Sequence, residues 1–554
     1  MAKLAKFLQG VAGAAGGGGL NVEEVFSTFV ADATGSGALT INNGIDLSGE
    51  GGIVWVKSRN NSHNHYIFDP NVGSGGYLIP NSNTVGLTGA NYSFTSTGLT
   101  DTYNNYSNNE AVWWTFRKAP KFFDVVTYTG NGTAGRTISH NLGSVPGCII
   151  VKNLSTGSTD WSTYHRSEGA TKYGKLNTTD AFSGAFTGQW NETEPTDSVF
   201  TVGDSLFVNQ NGDNYVAYLF AHNDGDGEFG PTGDQDIIKC GSYTGNSTIG
   251  HTIDLGFEAQ WVLVRSTSNL RKWMLYDIMR GMPVDGIGAA LYPNSSDDEE
   301  DLTRIGASNV GFQLTSTDSM VNVSGETYIY IAIRRGPMAV PESATDVFGI
   351  NDRNSTGSSI DITSGFPVDW FFTKTRDNTY GFQQLSRLQG DGVRLGFYGT
   401  FAEQTDPNFE FDHNTKVVAG SDSSIGINRS GDNNIDYMFR RAPSFCDVVA
   451  YTGNGTAGRT VSHNLGVVPE MIWFKSRSNA QNWYVYHKDN TYISGALSTY
   501  LRLNTTDARL NSSYFMSSIS SSDFGLTIGT PNDSGKTYIA YLFASLDGVS
   551  KVGS

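Results

Sequence analysis

Several stretches of the chain carry residue types that could do chemistry. "TYTGNGTAGRTISHNLG" (127–143) contains Gly130-Asn131-Gly132-Thr133-Ala134-Gly135, a formal match to G-x-G-x-x-G. That glycine pattern lets a nucleotide's phosphates approach a backbone. The same stretch holds Ser139-His140-Asn141, and it recurs at 450–466 with Ser462-His463-Asn464. Serine beside histidine would suit a nucleophile and its base. "DGDGE" (224–228) begins like a calcium loop, and "SDDEED" (296–301) is a run of acids.

The elements that must position these residues argue against each chemistry. A dinucleotide site needs a strand, a glycine turn and then a helix. After Gly135 comes "RTISHNLGSVPGCIIVK", with β-branched alternation, Gly143, Pro146 and a further strand. The glycines therefore predict a hairpin and no nucleotide. Adjacent residues on a strand point to opposite faces, so Ser139 and His140 cannot pair, and Asp254 takes the place of His140 in a third copy. A polar strand end is the simpler role. The acidic loop has Phe229 where a calcium loop needs glycine and Gln235 where it needs its closing glutamate. Both acid runs read as solvated loops. A glycosidase needs paired carboxylates across a fixed gap, and no acidic position is shared by all the repeats described below. No catalytic, cofactor-binding or metal-binding residue is assigned, and the ligand-binding residues stay unknown. Tyr106, Tyr173 and Trp190 sit in Asn/Thr/Gly-rich loops, where aromatics beside amides suit stacking on sugars; capping of domain ends is the alternative.

Composition narrows the class. The 554 residues exceed one ordinary core. With 66 Gly, 16% charged and 12% aromatic residues, and Gly/Asn-rich turns between Val-, Ile-, Tyr- and Phe-rich runs, the chain reads as all-β. A net charge of −17 with no Lys/Arg cluster argues against nucleic acid. Cys148, Cys240 and Cys446 are too few and too scattered for a disulfide framework, which points to synthesis in a reducing cytoplasm. There is no run of 18 apolar residues, so no membrane insertion is expected. Residues 1–20, with Leu4, Phe7, Leu8 and Val11 on one stripe and then Gly16 to Gly19, read as a docking peptide and a flexible joint.

Internal repetition organises the rest. "NYSNNEAVWWTF" (105–116), "NQNGDNYVAYLF" (209–220), "NVSGETYIYIAI" (322–333), "NRSGDNNIDYMF" (428–439) and "NDSGKTYIAYLF" (532–543) share a turn and a strand. The fourth position of the turn needs positive φ, which Gly212, Gly325, Gly431 and Gly535 supply and Asn108 tolerates. The strand that follows is apolar on both faces, which predicts a central, buried strand. A second strand family precedes it and ends in a base: Lys57, Lys152, Arg265, Lys374 or Lys475. The turns recur at intervals of 104, 113, 106 and 104 residues, the length of an antiparallel β-sandwich. The predicted fold is thus all-β, with five tandem β-sandwiches at 21–120, 121–222, 236–337, 338–443 and 444–554, and a Gly/Asp-rich linker at 223–235. "FRKAPKFFDVVTYTGNGTAGRT" (116–137) matches "FRRAPSFCDVVAYTGNGTAGRT" (439–460), so the first two repeats resemble the last two as a pair.

The motif "TGNGTAGRT…LG..P…VK…W..Y…LNTTDA…N.SG..Y.A.LF" resembles repeats of tail-fibre and other virion structural proteins of marine bacteriophages, over residues 21–548. The resemblance implies lectin-like, concanavalin-type jelly rolls, a place in the virion tail, and attachment to a host polysaccharide or outer-membrane receptor. It also implies a homotrimer docked on other tail proteins through residues 1–20. A purely structural stalk, adaptor or decoration is the alternative, and a tailspike-like glycan hydrolase a third. No enzymatic activity and no cofactor are expected.

Overall fold

The computed structural model of the chain describes residues 18–33, 38–102, 109–405, 408–421, 426–490 and 497–554. These form a nearly all-β fold of small antiparallel sheets. Among the described residues the α-helical segments are single turns, Leu47–Glu50 and Thr187–Trp190.

One strand order recurs in five main sheets. In the first, Phe26–Ala33 pairs with Asn109–Arg117, then come Gly52–Ser58 and Tyr66–Phe68. The second runs Phe123–Thr129, Asn214–Ala221, Pro146–Asn153, Ser162–His165. The third runs Ile238–Thr244, Thr327–Arg334, Ala259–Ser266, Met274–Asp277. The fourth is Phe348–Asn354, Asn433–Phe439, Trp370–Thr375, Gln383–Ser386. The fifth is Cys446–Thr452, Thr537–Phe543, Met471–Ser476, Tyr484–His487. The strand after the repeated turn is last in sequence and central in space, as its apolar faces predict. Every repeat therefore closes through a pairing of high sequence separation, which is slow to form.

Each face of the central strand has its own partner. In the fifth repeat Tyr538, Ala540 and Leu542 join Val461, Phe524 and Leu526 of the smaller sheet in a buried core. Similar two-layer cores occur in the first repeat around Trp113 and in the fourth around Phe371 and Met438. The other face, carrying Trp114, Tyr218 or Tyr541, meets a neighbouring repeat. The turn glycines have positive φ: Gly212 +85°, Gly325 +82°, Gly431 +85° and Gly535 +72°. Asn108 and Tyr106 lie outside the described residues, as do Leu4, Phe7, Leu8 and Val11.

Contacts gather the chain into two compact units: Met1–Asp277 with Gly288–Ile305 and Leu314–Gly336, and Pro337–Ser554 with Ile278–Ile287 and Gly306–Gln313. The first unit contains the main sheets of repeats one to three, the second those of four and five.

Within the first unit, one junction recurs. The base ending the third strand and the aromatic opening the next form a plug, and the hairpin loop after that aromatic strand forms a seat for the following repeat. Lys152 Nζ donates to Asn83 O at 3.2 Å and Trp161 Nε1 to Ser82 O at 3.0 Å, seating repeat two on repeat one. Arg265 donates to Thr178 O at 2.8 Å and to Asp180 O, and Trp273 Nε1 to Lys175 O at 2.9 Å, seating three on two. Repeat one in turn sits on repeat three. Arg59 forms a 2.7 Å ion pair with Glu299. Glu299 N–H donates to Arg59 O at 2.7 Å, just as Phe182 N–H donates to Thr267 O, the equivalent carbonyl of repeat three. The outer faces repeat the cycle: Tyr218 OH donates to Asp69 Oδ2 (2.9 Å), His165 Nε2 meets Tyr330 O (3.2 Å), and Trp114 Nε1 donates to Asp277 Oδ2 (2.9 Å). Three repeats thus close a ring of contacts. Inside it the Phe116 ring, which closes the repeated strand of repeat one, lies 5.7 Å from its equivalent Phe220 and 5.7 Å from Trp261.

The second unit has one such junction. Lys475 Nζ reaches Thr400 O at 3.3 Å, Trp483 Nε1 reaches Gly396 O at 2.9 Å, and Glu403 N–H donates to Arg477 O at 2.8 Å, seating repeat five on repeat four. Tyr541 OH donates to Gln384 Oε1 at 2.6 Å.

His165 makes the first unit sensitive to acid. It is buried, Nε2 faces the Tyr330 carbonyl, and Nδ1 accepts from Ser167 N–H at 3.3 Å, so the neutral ring is satisfied on both sides. Burial above all, with the nearby Arg166 and His222, pushes its pKa down to about 4. The folded value lies below the unfolded 6.5, so this contribution to stability is fully present above pH 6.5 and is lost as pH falls toward 4. The loss is about 3 kcal/mol at 1.36 kcal/mol per pKa unit. Urea unfolding from pH 7 to pH 4 should show this slope, flattened in His165→Gln. Equal slopes for the two proteins would refute the assignment.

Candidate functional site

The residues that looked chemical are mostly spent on structure. Gly132 and Gly135 have positive φ, and the hairpin closes on the repeated turn: Gly132 N–H donates to Asn209 O at 2.8 Å and Asn131 N–H to Asn209 Oδ1 at 2.9 Å. The loop that would cradle a phosphate instead holds a carboxamide. Asn209 Nδ2 completes the lock on Thr133 O and Gly203 O. Asn322 and Asn532 do the same in their repeats, and Asn428 donates to three carbonyls in the fourth. Sequence reasoning valued the glycine of this turn and missed its first asparagine, although that residue recurs in every copy.

Ser139 is exposed and His140 buried, as are Ser462 and His463, so strand alternation does separate each pair. His140 Nδ1 accepts from Leu142 N–H, and Asn141 N–H donates to Asp124 Oδ2; His463, Asn464 and Asp447 repeat the arrangement. The motif is a turn lock. In the loop 224–228, Asp224 lies 3.4 Å from Lys239, and Glu228 pairs with Lys121 at 2.8 Å. Asp236 accepts from Gly225 and Gly227 N–H. Gly230 N–H and O both bond to the Gly19–Leu20 backbone, which ties down the end of the expected flexible joint. In the acid run, Asp297 pairs with Lys272 at 2.6 Å and Glu299 with Arg59. One acid expected in a solvated loop, Glu299, thus holds a junction between repeats, while Asp297 is paired within its own repeat. Among the described residues no three His, Cys, Asp or Glu converge as metal ligands. Cys148, Cys240 and Cys446 are free and buried.

Trp190 does not lie on the surface. Its helical turn buries it, with the Tyr164 ring 5.9 Å away, because a ring that large fills the end of the core more favourably than it faces water. Tyr173 is half-buried, 5.8 Å from the Phe186 ring. The residue aligned with it in the fifth repeat through "LNTTDA", Tyr500, lines a cleft of about 490 Å³.

That cleft combines apolar walls with a fixed carboxylate. Tyr484, Tyr500 and Phe515 form a mutually packed wall, with centroids 5.1 to 6.4 Å apart, and Tyr514 and Ile528 stand exposed at its rim. Asp533 Oδ2 accepts from Thr530 Oγ1 at 2.6 Å, Gln481 Nε2 at 3.0 Å and Tyr538 OH at 3.0 Å. Burial works to raise the pKa of Asp533, but these bonds outweigh it and hold it below the usual value, so the carboxylate is ionised near neutrality. Flat apolar faces beside an oriented acceptor are what a hydroxyl-rich ring needs. A second cleft, of about 310 Å³, occupies the corresponding end of the third repeat with Arg271, Lys272, Tyr292, Glu300 and Arg304. Its charged walls mark a different preference.

The profile of one family, described as a domain of unknown function (DUF7483), matches residues 25–337 and again 345–554. The chain belongs to the DUF7483 family. No curated protein matches it. The first DUF7483 match spans three repeats in 313 residues and the second spans two in 210, a difference of 103, close to one repeat period. The two matches follow the two compact units.

Proposed function

We propose that this DUF7483 protein is a bacteriophage tail fibre or related virion appendage that attaches the particle to host-surface glycan, with the cleft of the fifth repeat as a sugar seat. The observation that carries this reading is the wall of Tyr484, Tyr500 and Phe515 beside the oriented Asp533 carboxylate. It is joined by the resemblance of the repeats to virion proteins. Copies of a chain in one appendage would multiply a weak site by avidity. Anchoring through residues 1–20 and a homotrimeric state belong to the same proposal.

A purely structural role is favoured by a separate observation. The base and tryptophan common to most repeats face neighbouring repeats rather than a ligand. Hydrolysis has less support: among the described residues lining the cleft, Asp533 is the one carboxylate, and a glycosidase uses two.

Binding of the intact protein to host polysaccharide separates these readings. Tyr514→Ala, at the exposed rim, should weaken binding by roughly tenfold, about 1.4 kcal/mol, with unchanged melting, and Tyr500→Ala should weaken it at least as much while also lowering the melting temperature, because that ring packs on the core. Absence of binding by the wild type, or equal binding by the variants, rejects the sugar seat.

A further inference from the structure

The carboxylate in the cleft of the fifth repeat has a counterpart in the third, and the two are partnered differently. In repeat three Glu326 Oε2 accepts from Tyr328 OH at 3.0 Å and from Ser266 Oγ at 3.2 Å. Its Oε1 accepts from Asn269 Nδ2 at 2.6 Å and from Arg271 Nη2 at 3.2 Å. Both oxygens are used, and the Arg271 guanidinium neutralises the charge. In repeat five Tyr538, the equivalent of Tyr328, donates to Asp533. Gln481 stands where Arg271 stands, two residues before the buried tryptophan, so the base is replaced by an amide.

That exchange leaves Asp533 with one oxygen occupied and one open. Thr530 Oγ1, Gln481 Nε2 and Tyr538 OH all donate to Oδ2, and among the described residues nothing donates to Oδ1. No Lys, Arg or His is among the described residues lining the cleft, so Asp533 is its one charged wall residue. Lys536 is near enough to help keep the carboxylate ionised but makes no ion pair with it. Arg502 is engaged by Asp507 at 3.0 Å. The open oxygen therefore meets a ligand as an acceptor without a proton to give. The walls beside it are the Tyr484 and Tyr500 rings.

We infer that this cleft selects hexoses presenting hydroxyl or amine donors to Asp533 Oδ1, and rejects sugars that carry a carboxylate or sulfate there. The inference rests on the sugar seat proposed above and names the class of sugar it takes. An acceptor-only oxygen bonds each donor and repels an anion, and apolar walls give the anion no compensating partner. An amine gains further. Its positive charge supplies the counter-ion that Arg271 supplies in repeat three, and aromatic faces attract cations.

Binding of the intact protein to an array of neutral, amino, uronic and sulfated oligosaccharides at neutral pH tests it. The wild type should bind neutral and amino members roughly tenfold or more tighter than acidic members built on the same ring. Asp533→Asn, which removes the charge, and Gln481→Arg, which restores the base of repeat three, should each abolish most of that preference. Gln481→Arg keeps the carboxylate and its bonds from Thr530 and Tyr538, so it reads the preference even where Asp533→Asn loosens the repeat. Acidic members bound as tightly as neutral ones overturn the inference and leave the sugar seat standing. Binding to no member of the array rejects the seat and the inference together. A preference that survives in both variants overturns the assignment to Asp533.

Discussion

Replacing Trp273 with alanine should lower the stability of the first unit by about 3–5 kcal/mol, the range for deleting a large buried aromatic. The indole is nearly fully buried, and Nε1 donates at 2.9 Å to Lys175 O. It packs under the Arg265 guanidinium, whose centre lies 5.3 Å from the ring. Alanine leaves a cavity, orphans a carbonyl, and exposes the guanidinium's own bonds to Thr178 O and Asp180 O to water. Burial already pushes the pKa of Arg265 down to about 10, so this cation depends on a complete shell. Because repeats one to three close a ring, the loss at one junction strains the other two. Trp273→Phe keeps the packing and loses one hydrogen bond, for a smaller cost of about 1 kcal/mol. Denaturant unfolding followed by hydrogen exchange should place the Trp273→Ala loss in the first unit and leave the Pro337–Ser554 strands protected as before. A change under about 1 kcal/mol would mean that the junction is not cooperative.

Much of this architecture is legible before any coordinates, and the reasons are local. The glycines at 212, 325, 431 and 535 announce their turns because a positive φ leaves a mark on residue choice. The Tyr215–Phe220 run announces a central strand because both its faces are apolar, although the sequence does not say what covers the second face. That face packs on another repeat, and contact between repeats has no short-range signature. Lys152 shows the same gap. A base at a strand end looks solvated until the carbonyls of Asn83 and Thr159 around it are seen. The exposed position of Phe382, set against the buried Trp161, Trp273 and Trp483, is visible in sequence only as the lack of a tryptophan. Trp190 caps the end of the core, the alternative to sugar stacking that the sequence leaves open, and a loop-like composition hides the single helical turn that points its ring inward. The cleft escaped notice because Tyr484, Tyr500, Tyr514 and Asp533 come from four separate segments of the fifth repeat, so no spacing in the chain records their meeting.

Asn532→Ala should cost roughly 3–5 kcal/mol, as three hydrogen bonds of a buried carboxamide vanish and leave their backbone partners unpaired. Oδ1 accepts from Asn454 N–H at 3.0 Å, and Nδ2 donates to Thr456 O at 3.0 Å and Thr527 O at 2.8 Å. These bonds pin the glycine hairpin, the strand Asp523–Leu526 and the repeated turn to one another, so the whole end of the sandwich depends on one side chain. Asn532→Asp discriminates this account from simple loss of volume. The carboxylate keeps the acceptor for Asn454 but faces the Thr456 and Thr527 carbonyls with no proton to offer. At neutral pH it should be at least as damaging as alanine. Below the carboxyl's pKa the protonated acid can donate to one of the two carbonyls, so part of the loss should return as pH falls, opposite to the trend expected of the wild type. Because Thr530 and Asp533 flank this residue in the cleft, both variants should also weaken any ligand held by the Tyr500 wall. An Asn532→Asp protein as stable as the wild type at neutral pH would show that the carboxamide is not donating, and that the hairpin is held by its backbone bonds alone.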